Sequence, residues 1–330
     1  AGLVASAIFA LHPVQHEAVA LIAARNDSMA AGFSMAALLL LLRPARPTIP
    51  TSLLTGVLFF FALLSKESAI LLPVLWVSIH YAKHGNMGTR RHWIPTICAA
   101  GVYLFLRDLS SVGESPWPSM TQLQTGGQSL PQIVGTYLDM LVLPTSLTPA
   151  RSLSYLEPMS HLWKSLVIGG AIALFLAHAG RKERLIWACL LWAVLTLMPT
   201  LLVTVGKGNL GERYLYLPLA GISLATAMAL PARRWVTLVL CIFAGASAAV
   251  IVPRHADWTD YATLWGDAYA KRPSTYTAGG YGWAKENIEG DLAGARDLYM
   301  EALKGEPVYS PSCEAAVLVH VRLGRPESAV

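Results

Sequence analysis

The sequence predicts an all-α protein in two parts: a polytopic membrane domain of apolar helices over residues 1–253, and helical hairpins over residues 254–330. Of the 330 residues, 54% are hydrophobic and only 14% are charged, with a mean hydropathy of +0.48. Soluble domains carry about a quarter charged residues. The second part has a 34-residue repeat period. These features argue against a soluble enzyme, a disordered chain and a disulfide scaffold.

The charge divides at the same place as the hydropathy. Residues 1–253 hold 17 Lys/Arg and 9 Asp/Glu, whereas residues 254–330 hold 8 Lys/Arg and 11 Asp/Glu. A basic excess beside apolar helices suits anionic phospholipid surfaces and needs no nucleic acid to explain it. We therefore expect membrane lipid, and not nucleic acid, as a partner.

Nine apolar runs are candidate membrane spans, although several are shorter than the ~20 residues that an upright helix needs. They cover residues 1–11, 28–42, 51–64, 67–82, 93–107, 162–179, 185–203, 214–230 and 235–252. A further apolar stretch, 130–143, contains Tyr137 and Asp139 and is predicted to be a re-entrant or interfacial helix. The loop 108–160 around it is predicted to be an irregular lid or groove.

The charges of the short loops predict the orientation. Four loops fall on one side if the spans alternate, and together they hold ten cations and a single acid, Glu183. Those cations are Arg43, Arg46, Lys83, Arg90, Arg91, Arg181, Lys182, Arg184, Arg233 and Arg234. The positive-inside rule makes that side cytoplasmic. The segments 12–27, 65–67, 108–160 and 204–213, with the tail, are then expected on the periplasmic or lumenal side.

The 34-residue period is the length of the tetratricopeptide repeat. Pro273 and Pro307 are 34 residues apart, as are Gly290 and Gly324. With Tyr276 at position one, the small, aromatic and proline positions are occupied by Gly290, Ala295, Tyr299, Ala302 and Pro307. Trp283 and Val317 replace the usual small residue of the first helix. In such a hairpin, small residues allow close packing and the proline ends the helix.

Three polar segments lie on the predicted outer side. The first is His12-Pro13-Val14-Gln15-His16-Glu17, followed by Arg25 and Asp27. Pro13 suits the first turn of a helix with His12 near its cap. Two histidines at this spacing are a weak metal signal, because Ala20 stands where a zinc-protease motif needs its second histidine. An interfacial helix with polar anchors is an equally good interpretation.

The other two segments are Ser65-Lys66-Glu67 and the run from Lys207 to Pro218. Lys66 offers a point charge for a phosphate, unless the segment is only a solvated Lys–Glu turn. Arg213 offers a bidentate phosphate fork, and the alternative is an aromatic anchor with a snorkelling arginine.

The order of these segments resembles a known family. This order is similar to that of the transmembrane and tetratricopeptide-repeat (TMTC-type) protein O-mannosyltransferases. The segments that carry the resemblance are His12 to Val19 with Arg25 and Asp27, then Ser65-Lys66-Glu67, then Glu212-Arg213-Tyr214-Leu215-Tyr216-Leu217-Pro218, and then Arg254 to Trp258 before the repeats. The order is also similar to that of their bacterial relatives in the GT-C glycosyltransferase superfamily. The resemblance extends over nearly the whole chain.

The resemblance implies a sugar donor linked to polyprenyl phosphate and a hydroxyl acceptor, with protein Ser or Thr as one candidate. No cofactor is implied, and no metal is required because cationic side chains can neutralise the leaving phosphate. Arg25, Lys66 and Arg213 become the candidate phosphate ligands. Glu17 is the candidate catalytic carboxylate, which would orient the acceptor or the sugar. His12 and Tyr214 are candidate substrate-binding residues.

Asp27, Glu67 and Glu212 are expected to form ion pairs that hold these cations. In the family, an earlier outer loop supplies an acidic pair with the catalytic base, and that loop would precede Ala1. The chain opens inside an apolar run and stops within a repeat, so we expect a fragment. Whether it is active alone stays open.

Two other functions stay open. A membrane-anchored tetratricopeptide scaffold would need none of the polar residues. A lipid or solute transporter would use broken helices and intramembrane charges, and it would favour internal symmetry, of which residues 1–253 give no convincing sign.

Overall fold

The computed structural model describes residues 1–42, 48–87, 90–110, 119–145, 147–149, 151–152, 156, 159–231, 233–304 and 310–324. These residues are almost entirely helical, which confirms the predicted all-α class. The helices are α1 Gly2–Leu11, α2 His16–Ala20, α3 Arg25–Leu41, α4 Ile49–Ser65, α5 Leu72–His84, α6 Arg90–Leu109, α7 Met120–Gln128, α8 Leu130–Val142, α9 Met159–Gly180, α10 Arg184–Lys207, α11 Tyr216–Ala229, α12 Arg234–Asp257, α13 Tyr261–Lys271, α14 Thr275–Ala284, α15 Leu292–Lys304 and α16 Ser310–Arg322.

Each of the nine predicted spans coincides with a helix, and local signals set several of the ends. Thr48 begins α4 with a capping box, in which its hydroxyl and that of Thr51 receive each other's backbone N–H. Gly85 ends α5 at φ 71°, a left-handed conformation that glycine adopts at little cost.

Three of the described helices are long and apolar enough to cross a membrane: His161–Gly180, Arg184–Val205 and Arg234–Asp257. Each has a tryptophan near its first turn: Trp163, Trp187 and Trp235 are 57%, 50% and 45% exposed. Tryptophan concentrates at the interface between lipid and water. The chain is therefore an all-α membrane protein, whereas the total of nine spans stays a prediction.

The chain divides into two compact units. The first comprises Ala1–Trp117, Ile168–Val203 and Arg213–Gly245. Its core lies among α3, α4, α5 and α6, where Phe59, Leu63 and Trp76 are buried. A Cβ on Gly221 of α11 would lie 2.5 Å from the Cys189 carbonyl oxygen of α10, so this pair of helices packs through a small residue.

The second unit comprises Pro118–Val167, Thr204–Glu212 and Ala246–Val330. Within the predicted irregular loop it forms α7 and α8. The helix α8 confirms the predicted helix at 130–143, and it forms because Ile133, Tyr137 and Met140 are buried along its length. Residues 111–118 of that loop, with Glu157, lie outside the described residues.

Two short strands in the second unit hold the segment just before Glu212 in place. β1, Arg151–Ser152, pairs antiparallel with β2, Asn209–Leu210. Leu210 is fully buried. The Tyr137 hydroxyl lies 3.1 Å from that of Thr204, a few residues earlier in the chain. The end of α10 and the strand after it are thereby anchored.

The tail forms successive helical hairpins from α13 to α16. Tyr299 is buried against α14, where a Cβ on Gly282 would lie 2.8 Å from its ring. The small residue that receives the aromatic ring is therefore Gly282, one position before the expected site at Trp283. Pro307 lies outside the described residues. The tetratricopeptide assignment and the boundary at residue 253 stay predictions.

Candidate functional site

The first polar segment begins with a short 3-10 turn, and its His12, Gln15 and Glu17 side chains are buried. His12 precedes the 3-10 turn Pro13–Gln15 and caps it, because its Nδ1 accepts the Val14 backbone N–H at 3.2 Å. This confirms the helix start predicted at Pro13. The imidazole hydrogen must then lie on Nε2 in the neutral ring. His12 is only 5% exposed.

Glu17 holds Arg213 through two contacts. Its Oε1 accepts a hydrogen bond from the Arg213 guanidinium at 2.6 Å, and its Oε2 accepts the Arg213 backbone N–H at 2.9 Å. The carboxylate is fully buried, whereas the Arg213 side chain keeps 27% of its surface exposed. Glu17 therefore fixes both the backbone and the side chain of Arg213.

Asp27 holds Lys66 in a similar way. The Lys66 ammonium donates to Asp27 Oδ1 in an ion pair. The Asp27 side chain is 6% exposed and that of Lys66 is 20% exposed. Lys66 lies at the break between α4 and the 3-10 turn Glu67–Leu71, with an extended backbone that interrupts the helix.

The two cations converge on one aromatic ring. The Lys66 Nζ lies 5.3 Å from the centroid of the Tyr214 ring, and the Arg213 Cζ lies 5.2 Å from it. Both distances are within the range of cation–π attraction. Lys66 comes from the second polar segment and Arg213 from the third, and both lie against the Tyr214 ring.

The electrostatics of Arg213 keep it charged. Burial acts to lower the pKa of its guanidinium, but the Glu17 carboxylate and Tyr214 outweigh that effect and the pKa is raised. Arg213 has five N–H donors and Lys66 has three. The ion pairs with Glu17 and Asp27 use one side-chain donor of Arg213 and one of Lys66. Two partly exposed cations with donors to spare can bind an anionic group such as a phosphate.

The other predicted residues have different surroundings. Arg25 is exposed at the start of α3, and no ion pair joins it to another of the described residues. Glu67 pairs with Arg107, on the exposed side of the turn. Glu212 pairs with Arg254 through two hydrogen bonds of 3.2 and 3.0 Å, and both side chains are buried. Asp139 accepts a hydrogen bond of 2.6 Å from Ser165.

Sequence reasoning found the residue types but not all the pairings. Glu17 and Arg213 are 196 positions apart, and no local pattern joins them. Asp27 holds Lys66, as expected. The expectation for Glu67 and Glu212 was wrong, because they pair with Arg107 and Arg254 and not with the candidate phosphate ligands. Arg213 is held instead by Glu17.

No family model and no solved structure matches the chain. The chain is similar to Protein O-mannosyl-transferase F38B6.6 of Caenorhabditis elegans, with 26% identity over 240 residues. The similarity covers 68% of this chain and 34% of the relative, so the chain spans about a third of the relative's length. It supports a glycosyltransferase family at a coarse level.

Proposed function

We propose that this chain is the membrane part of a glycosyltransferase that moves a sugar from a polyprenyl-phosphate donor to a hydroxyl acceptor on the non-cytoplasmic side. The similarity to a protein O-mannosyl-transferase suggests mannose as the sugar and a protein hydroxyl as the acceptor. In the reaction, the acceptor oxygen bonds to the anomeric carbon, the bond from that carbon to the phosphate oxygen breaks, and the acceptor loses its proton to a base.

One observation carries the proposal: Arg213 and Lys66 meet at the Tyr214 ring, each held from behind by a buried carboxylate. Departure of a lipid phosphate develops negative charge, and preorganised cations stabilise it without reorganising during the reaction. Glu17 and Asp27 supply that preorganisation. Arg25, exposed at the start of α3, would contribute a further positive charge.

The contacts of Glu17 favour a positioning role. Its carboxylate is fully buried and both of its oxygens receive hydrogen bonds from Arg213. An oxygen that removes a proton from an acceptor must come within hydrogen-bond reach of that acceptor. We therefore assign Glu17 to holding Arg213. The resemblance assigns the catalytic base to a different outer loop of the family.

The test compares variants of the intact protein in vesicles containing radiolabelled polyprenyl-phosphate mannose. Loss of one preorganised donor costs about 100-fold to 1000-fold in kcat, so Arg213→Ala should lower donor consumption on that scale. Arg213→Lys, which keeps the charge but loses the fork, should retain part of the activity. Arg181→Ala is the matched control, because Arg181 is an exposed cation in a predicted cytoplasmic loop.

Unchanged donor consumption in both Arg213→Ala and Lys66→Ala would reject the phosphate role and favour a membrane-anchored scaffold. Movement of the intact lipid or sugar across the vesicle, without cleavage of the sugar–phosphate bond, would favour a transporter.

A further inference from the structure

We propose that Gln15 recognises hydroxyl groups of the transferred sugar and so helps to determine which sugar is accepted. This inference rests on the proposed function and adds a specificity residue to it.

The evidence begins with the burial of the Gln15 carboxamide. Gln15 is 5% exposed, and neither its Oε1 nor its Nε2 has a hydrogen-bond partner among the described residues. Buried polar groups in proteins are nearly always paired, because each unpaired group costs free energy. A glutamine with an unpaired donor and an unpaired acceptor needs a partner that supplies both functions.

The local backbone joins Gln15 to another predicted substrate ligand through one tight turn. The Gln15 backbone N–H donates to the His12 carbonyl oxygen at 3.0 Å and closes the 3-10 turn. His12 is the cap of this turn and Gln15 is its last residue, so the two residues bound the same three-residue turn. That turn continues directly into α2, which carries Glu17.

The chemistry of a carboxamide favours a sugar over a phosphate as its partner. A phosphate ester that is fully ionised offers acceptors only, so it would pair the Gln15 NH₂ but leave Oε1 unpaired. Each sugar hydroxyl is both a donor and an acceptor. Two neighbouring hydroxyls can therefore pair both ends of the amide, and their arrangement differs between epimeric sugars.

The first measurement is thermal unfolding of the donor-free protein in detergent, with Gln15→Met as the variant of similar volume. Removing an unpaired buried amide should raise Tm by about 2 to 4 °C. A glutamine that stabilises the fold would give the opposite sign, and a fall in Tm would overturn the proposal. Gln124→Met is the control, because Gln124 is exposed on α7 and its replacement should leave Tm unchanged.

The second measurement is donor consumption with polyprenyl-phosphate mannose and with its glucose epimer. Gln15→Met should lower kcat/KM for the preferred donor by at least about tenfold and reduce the preference between the two, since the variant cannot pair the hydroxyls. Equal consumption by Gln15→Met and the wild-type protein, or an unchanged preference, would overturn the inference alone. Wild-type protein that cleaves neither donor would overturn the proposed function and this inference together.

Discussion

At the scale of single residues, the acidic side chains of the polar segments differ chiefly in burial. Glu17 and Glu212 are fully buried and Asp27 nearly so, whereas the side chain of Glu67 is 58% exposed. A buried carboxylate is stable only when it is paired, because leaving water costs an ion several kcal/mol. Removing one partner of a buried pair should therefore cost far more stability than removing one partner of the exposed pair.

Two matched substitutions test that difference. Glu212→Gln breaks the buried pair with Arg254 and leaves the arginine charge uncompensated, so we expect the free energy of unfolding to fall by about 3 to 5 kcal/mol. Glu67→Gln breaks an exposed pair with Arg107, for which less than about 1 kcal/mol is expected. Denaturant unfolding in detergent measures both, and losses of equal size would contradict the assignment.

The residues of the candidate site were predictable where a charged side chain stands between apolar runs. Lys66 and Arg213 were predicted as cations of one site, and the structure brings both to Tyr214. The partner of Glu212 was not predicted, because Arg254 lies 42 positions away and the choice of partner depends on packing between distant helices.

At the scale of elements, apolar runs predicted the helices well because burial and lipid exposure both favour an intrahelical hydrogen-bond pattern. The position of the small residue in the first helix of the tail repeat was less predictable. Alignment to the repeat pattern points to Trp283, but the ring of Tyr299 packs on Gly282. A π-helical turn at Lys285–Glu289 follows α14 and adds a residue to the winding, which sequence spacing alone does not reveal.

The tail hairpins contain a tyrosine–glutamate pair, Tyr269 with Glu301, whose titration should make stability depend on alkaline pH. The Tyr269 hydroxyl donates to Glu301 at 2.6 Å, and burial together with that carboxylate raises the pKa of Tyr269 to about 12. A folded pKa above the unfolded value of about 10 gives stability that is complete below pH 10 and is lost as pH rises toward 12. Tyr269→Phe should flatten that loss in Tm, and an unaltered slope would contradict the linkage.

At the scale of the whole molecule, three long apolar helices with tryptophans at their first turns support the membrane assignment. The orientation is a prediction from loop charge.

Cysteine labelling tests the orientation. After the four native cysteines are replaced by serine, Lys182→Cys should react with a membrane-impermeant maleimide only from the cytoplasmic side. Asp297→Cys, on the exposed surface of α15, should react only from the opposite side. Labelling of both positions from one side would contradict the predicted topology.

The short connection between α12 and α13 limits how far the tail can travel. The segment 258–260 joins them, and three extended residues reach only about 10 Å. A flexible linker of tens of residues would let a domain sample a large volume of solvent. This three-residue connection instead keeps the first hairpin close to the end of α12. The start of α13 is therefore held within about 10 Å of the end of α12, whichever way the hairpins turn.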